Sequence, residues 1–474
     1  MSVRYTQVKK LRTVEEFSEH CASLAIDIPI DATTDPTGVL ADPVEFTDGN
    51  GGVLTSPNRF AVLPMEGWDG TTQGAPTDLV RRRWGRFGSS GCGLVWGEAT
   101  AVQLDGRANP NQLVIDDSTV EEIAGLRQLL DPAQVTGLQL THSGRWSRPE
   151  GAPAPRIAYR HPVLDGRVGL DGEAGAGAVF TDDELDELAE RYIVGAVLAQ
   201  QAGFEFVDVK HCHGYLLHEL LTGYDRDGRF GGDLVGRTEF LRTVVTGIRD
   251  RAPGLAIAVR LSAFDLMPFT AGEGGVGVPD GAGEYRYAFG GDGTGLGIDL
   301  TETHALLDVF TELGIGLVSV TAGSPYYNPH VQRPAFFPPS DGYQPPEDPL
   351  VGVARQLAVT AELTAAHPEL AIIGSGYSYL QDWLGNVGQA VVAGGGATMV
   401  GLGRMILSYP ELAADLLRGT EVNPRLICRT FSDCTTAPRN GLVSGCFPID
   451  PFYKEHPQRV ELTKAKKEAK ERLR

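Results

Sequence analysis

Eight short apolar runs recur along the chain, and stretches of helical spacing separate them. The runs are NRFAVLPM (58–65), CGLVWGEAT (92–100), TGLQLTHSGR (136–145), FEFVDVKHC (204–212), LAIAVRLSA (255–263), IGLVSVTAG (315–323), LAIIGSG (370–376) and ATMVGLGR (397–404). Each is close to continuously apolar rather than alternating, the mark of parallel strands buried on both faces. Helical spacing occupies 77–91, 182–203, 237–254, 301–314, 348–368 and 379–395. The stretch 182–203 is the clearest. Thr181 or Asp182 can cap it, acids fill its first turn, and Gly203 ends it. Eight strands alternating with helices predict an α/β protein, a closed (β/α)8 TIM barrel. An open doubly wound sheet is the rival, and the absence of GxGxxG after the first strand weakens it. In a barrel the chemistry sits at the C-terminal strand ends.

Two segments break the repeat. Residues 266–300 are glycine-rich and predict a long loop after the fifth strand, either a lid or disordered. Residues 324–347 (SPYYNPHVQRPAFFPPSDGYQPPE) predict an aromatic loop after the sixth strand, lining a pocket or packing on the surface. The expected division is an N-terminal extension (1–49), the barrel (50–419) and a cysteine-containing C-terminal extension with a basic helix (420–474).

Composition narrows the function. A net charge of −20 argues against nucleic acid and anionic membranes as partners. The opening MSVRYTQVKKLRTVEEF has no apolar core of a secretory signal, and no run of about 18 apolar residues exists to span a membrane. Six cysteines in 474 residues are too sparse for a disulfide scaffold, so reduced thiols and a cytoplasmic location are expected. The expected partner is a small-molecule substrate, with a homo-oligomer left open.

KHCHGYLLHELL (210–221) follows the fourth run. Lys210, His213 and Tyr215 stand within six positions, with His211 and Cys212 between them. Groups that titrate or hydrogen-bond, clustered just past a buried strand, point to an active site.

NRFAVLPM, GEATAV, QLTHSGR, HGYLLHELL, FGGDLVGRTEFL, VRLS and VGLGRMILSYPEL stand in the order seen in old yellow enzyme-type NADH:flavin oxidoreductases. Over roughly 50–419 the chain resembles that family. The resemblance implies a TIM barrel with non-covalent FMN and NAD(P)H as electron donor. Pro64 and Met65 then match the backbone along the flavin, Ala99 the small residue beside its ring, Gln139 the partner of its pyrimidine, and Arg260 the cation at its electron-rich edge. Gly374, Ser375, Gly376, Gly403 and Arg404 match the phosphate end, which is also a general barrel feature after strands seven and eight.

In the same resemblance His213 matches a binder of the substrate carbonyl and Tyr215 the proton donor. Lys210 stands where the family carries histidine and is read as a donor to an oxyanion. His211 is read as structural. Glu66 stands where the family often has Thr or Cys. It can pair with Lys210, act as a base, or point into solvent.

In the tail, larger relatives resembling dienoyl-CoA reductases and trimethylamine dehydrogenase hold an iron–sulfur cluster in C-x2-C-x3-C-x11-C. Here Cys434 and Cys446 keep the eleven-residue gap, Cys428 is one residue too close, and the fourth cysteine is missing. No metal is expected, and Cys428, Cys434 and Cys446 are the ligands if one is held. The function expected is hydride transfer from NAD(P)H through FMN to an α,β-unsaturated carbonyl compound. The alternatives are an oxidative amine or alcohol dehydrogenase of the trimethylamine dehydrogenase type, a flavin-binding protein without turnover, and a phosphate-binding barrel lyase.

Overall fold

The structure is a computed structural model and describes residues 5–472; the first four residues of the N-terminal stretch and the last two of the basic tail lie outside it. Before the barrel, β1 (Val44–Thr47) and β2 (Val53–Ser56) pair as an antiparallel hairpin that crosses the 49/50 boundary. The barrel strands are β3 (Phe60–Val62), β4 (Leu94–Ala101), β5 (Val135–Thr141), β6 (Phe206–Val209) and β7 (Ala256–Phe264). After a second hairpin, β8 (Phe269–Ala271) with β9 (Gly277–Pro279), come β10 (Leu317–Ala322), β11 (Ala371–Gly374) and β12 (Met399–Leu402). The eight close in the order β10–β11–β12–β3–β4–β5–β6–β7, every neighbouring pair parallel. The eight apolar runs therefore coincide with the eight staves of a (β/α)8 barrel.

The helices fall where the spacing put them. Asp182–Gln201 begins with a capping box, Thr181 accepting from Glu184 N–H while Glu184 reaches back to the Thr181 N–H. Gly203, at φ 90°, follows its end. Among the others are Asp78–Gly88, Leu234–Arg251, Thr301–Glu312 and Pro349–Ala366. In 379–395 the first part is a 3-10 turn, Tyr377–Trp383, before the helix Leu384–Ala393.

The barrel interior is packed by Leu94, Trp96, Phe206, Ile373 and Met399, and Val44 and Phe46 of the hairpin join that cluster. Trp96 meets Phe206 edge-on at 5.0 Å. Gly137 makes room for Phe206, because a Cβ there would stand 2.1 Å from its ring. The hairpin thus plugs one end of the barrel and leaves chemistry to the other.

The segment 266–300 holds a regular element, contrary to expectation. The β8–β9 hairpin turns through Gly274 and Gly275, both at positive φ. Buried Phe269, Tyr285 and Phe289 anchor the segment, and the Tyr285 hydroxyl bonds His161 Nε2 at 2.9 Å. The glycines serve turns, and the sparse aromatics carry the packing. No helix among the described residues is long and apolar enough to cross a membrane.

Candidate active site

The C-terminal strand ends converge on one chamber with about 1320 Å³ of empty space, counted out to its open mouth. Of the residues singled out, Pro64, Met65, Glu66, Gln139, Lys210, His213, Tyr215, Arg260, Ser375, Gly376, Gly403 and Arg404 line it. Ala99 and Gly374 do not. Both are buried within their strands, Ala99 beside the register shift between β4 and β5.

The turn after β6 decides where the cluster points. His213 (φ 67°) and Gly214 (φ 75°) are consecutive left-handed residues. At Gly214 a Cβ would come within 2.8 Å of the Tyr327 ring, so only glycine fits. The strain at His213 is held from both sides: its N–H donates to Ser262 Oγ (3.0 Å) and its carbonyl accepts from Ser324 Oγ (2.7 Å). The turn delivers Tyr215 to the chamber, 3% exposed.

Glu66 organises this wall. It accepts from Lys210 Nζ (2.9 Å), Trp68 Nε1 (2.8 Å) and the Tyr215 hydroxyl (3.1 Å to each carboxylate oxygen). Lys210 Nζ also sits 3.6 Å from the centre of the Tyr215 ring, a cation–π contact. The Tyr215 hydroxyl is 2.9 Å from that of Tyr326, whose ring stacks on Trp146 at 4.5 Å. Of the three roles open to Glu66, the structure shows the pairing with Lys210, and its side chain is 14% exposed rather than turned out into solvent. Burial, then Glu66 and Tyr326, hold the Tyr215 phenol well above its ordinary range, so it is protonated at neutral pH. Burial, then Arg260 and Lys210, push His213 well below the usual histidine value, so its imidazole is neutral. His211 turns away, bonding the Val209 carbonyl at 2.7 Å.

Across the floor, fully buried Asp208 accepts from Gln139 Nε2 (2.5 Å), Trp96 Nε1 (2.9 Å) and the Arg260 backbone N–H (2.8 Å). Burial raises Asp208 to about 6. Gln139 has spent a donor on Asp208 and keeps its oxygen as an acceptor. Arg260 donates to the Pro64 carbonyl (3.1 Å), and its buried Nε has no partner. At the far end Arg404 donates to the Pro334 carbonyl (2.7 Å), and its Nη1 is buried without a partner. A Cβ on Gly403 would meet nothing nearer than Ser378 Oγ at 4.0 Å, so the backbone there leaves open space. Unspent guanidinium donors at both ends of a long chamber, with an amide between, fit a flat heterocycle that ends in a phosphate.

The aromatic loop after β10 lines the chamber, the pocket-lining alternative of the two, through Tyr326, Gln332 and Arg333, none of which was singled out by number. Sequence reasoning missed one wall, the tail, where Cys434, Thr435, Pro438, Arg439 and Ser444 complete the lining. Cys428 and Cys446 are buried in the same segment. Among the described residues no group of His, Cys, Asp or Glu is arranged to hold a metal ion.

The fold is thus a (β/α)8 barrel whose chamber carries a tyrosine and a neutral histidine on one wall and buried arginines beyond. Residues 51–276 match the model of the NADH:flavin oxidoreductase / NADH oxidase family. Members of that family use FMN with NAD(P)H. The chain is 26% identical over 285 residues to NADH:flavin oxidoreductase FG08077 of Gibberella zeae, covering 57% of this chain and 65% of that protein. It is 29% identical over 222 residues to the NADPH dehydrogenase of Bacillus licheniformis, covering 45% and 61%. The chain thus spans less than two thirds of either relative. Its fold is similar to that of a 2-naphthoyl-CoA reductase, with a TM-score of 0.64 at 18% identity over 88% of this chain and 57% of the other.

Proposed function

We propose that the chain is an FMN-dependent NAD(P)H oxidoreductase acting on activated alkenes, compounds with a carbonyl conjugated to the double bond. When bound, FMN supplies hydride transfer between nicotinamide and substrate. Gln139 and Arg260 would hold its pyrimidine edge, and Ser375, Gly376, Gly403 and Arg404 its phosphate. His213, as a neutral imidazole, donates to the substrate carbonyl and withdraws charge from the β-carbon. Tyr215 gives its hydroxyl proton to the α-carbon. The phenolate left behind has the Lys210 ammonium over its ring as counter-charge. Lys210 thus acts behind the tyrosine, rather than on the substrate oxygen.

One observation carries this reading: a single chamber holds Tyr215 and His213 together with Gln139, Arg260 and Arg404. The test is spectroscopic. The purified protein should be yellow, NAD(P)H should bleach it without oxygen, and 2-cyclohexenone should restore the colour. A colourless protein that takes up no added FMN removes the reading.

A second reading, an oxidative amine or alcohol dehydrogenase, is favoured by the bond from the Tyr215 hydroxyl to Glu66. A carboxylate already accepting from the phenol is placed to help it remove a substrate proton. Bleaching by an amine or alcohol alone, with none by NAD(P)H, selects this reading.

A further inference from the structure

We infer that Arg333 is a second guanidinium for the phosphate of the cofactor, held by the C-terminal segment, so that the tail as well as the barrel selects FMN over riboflavin. The inference rests on the flavin reading above.

Three arginines, Arg333, Arg404 and Arg439, line one end of the chamber beside Cys434 and Thr435. They are not equivalent. Arg439 has its counter-charge: Nη1 sits 2.6 and 2.7 Å from the two carboxylate oxygens of Asp341, and Nη2 donates to the Pro325 carbonyl at 2.9 Å. The other two spend donors on neutral oxygens only. Arg333 donates to Thr435 Oγ1, and Arg404 to the Pro334 carbonyl at 2.7 Å. Neither forms an ion pair among the described residues, and Arg404 Nη1 has no partner.

Two like charges in a partly buried space repel, and each is poorly solvated. Burial, then Arg404 and Arg439, lower Arg333 to about 9, and burial lowers Arg404 as well. The arrangement is stable with an anion between them, and a phosphate monoester carries close to two negative charges at neutral pH. Guanidinium forks match its oxygens in geometry as well as in charge. An acid group on a substrate has the same chemistry. Arg404 stands at the strand end that the barrel uses for phosphate, and Pro334, which holds Arg404, directly follows Arg333. That neighbourhood favours the cofactor.

The tail fixes Arg333. Beyond the Thr435 bond, Ser432 Oγ donates to the Phe337 carbonyl (2.6 Å), and the Phe336 N–H donates to Thr430 Oγ1 (3.2 Å). The loop after β10 and the segment 430–440 are thereby fastened side by side.

The test uses the full-length, flavin-free protein titrated with FMN and with riboflavin, read by quenching of flavin fluorescence. The unaltered protein should prefer FMN strongly. Arg333→Gln should weaken FMN by about 10- to 100-fold, the loss of one charged hydrogen-bond donor, and leave riboflavin within about twofold. Arg333→Lys, which keeps the charge, should lose less, and Thr435→Val should shift FMN alone in the same direction. Equal weakening of both flavins by Arg333→Gln, or no change in either, overturns the inference. So does a raised KM for an acid-bearing substrate with the FMN preference intact. If the unaltered protein binds both flavins equally, the inference alone fails; if it binds neither, the flavin reading falls with it.

Discussion

Glu66 takes hydrogen bonds from Lys210, Tyr215 and Trp68 at once, so Glu66 and Lys210 are energetically one unit. Removing one member of a mostly buried pair leaves a charge without its partner. Lys210→Met should therefore cost about 3 kcal/mol in urea unfolding, and adding Glu66→Gln should recover more than half of it. Additive losses in the double variant would show that the two do not couple. Tyr215→Phe should slow reoxidation of the reduced flavin by 2-cyclohexenone about 100-fold or more, while NAD(P)H still bleaches the protein at nearly the normal rate. Stopped-flow measurement separates the two half-reactions, and equal slowing of both would remove Tyr215 from the role of proton donor. At this scale the residue types at the strand ends were legible, because a barrel puts its working side chains there. The Glu66–Lys210 pair was one of three options for Glu66, and the structure selects it across 144 positions; the further bonds from Trp68 and Tyr215 to the same carboxylate were not legible, because nothing local says that they meet.

Among the elements, the β1–β2 hairpin shows what local pattern conceals. Its strands are four residues each, and only Val44 and Phe46 on β1 face the core, too brief an alternation to stand out. Yet Phe46 closes one end of the barrel. Phe46→Ala should cost about 3–5 kcal/mol of stability by opening a cavity, and leave FMN affinity unchanged because the chamber is at the other end. A loss of FMN affinity greater than about twofold would mean the two ends are not independent. The β8–β9 hairpin was hidden for another reason. Glycines there satisfy positive-φ turns but read as absence of structure, while the anchoring aromatics are widely spaced. The barrel strands themselves were plain, since burial on both faces writes them as unbroken apolar runs.

For the molecule as a whole, buried histidines set the response to acid. Burial lowers His142, His211 and His330 to about 4, and His161 and His218 to about 3. The unfolded chain takes up protons at these sites near the ordinary value of 6.5 and the folded chain does not. Stability they contribute is present above that value and is lost as pH falls toward 4 and below, roughly 3 kcal/mol for a site such as His211. Asp208 and Asp265, raised to about 6 by burial, act in the opposite sense: their contribution is present at low pH and is lost as pH rises through 6. His213 is lowered as well, and burial also raises Glu219, Asp348 and Asp433. Six histidines, most of them held at about 4 or about 3, outweigh the five carboxylates and predict a net decline, so the urea midpoint should drop between pH 6.5 and 4. A midpoint flat across that window would contradict it. The fold class was legible at this scale from the strand–helix rhythm. The contribution of the tail to the chamber was not, because contacts between 430–444 and the barrel mouth are made only in three dimensions.

That placement of the tail has a practical consequence. Cys434, Thr435, Pro438, Arg439 and Ser444 form a side of the chamber, yet all lie beyond the last stave. Exchanging this short panel between homologues would reshape what the enclosure admits without disturbing a single ladder hydrogen bond. It is a natural place to diversify specificity, by selection in nature or by a focused library at the bench.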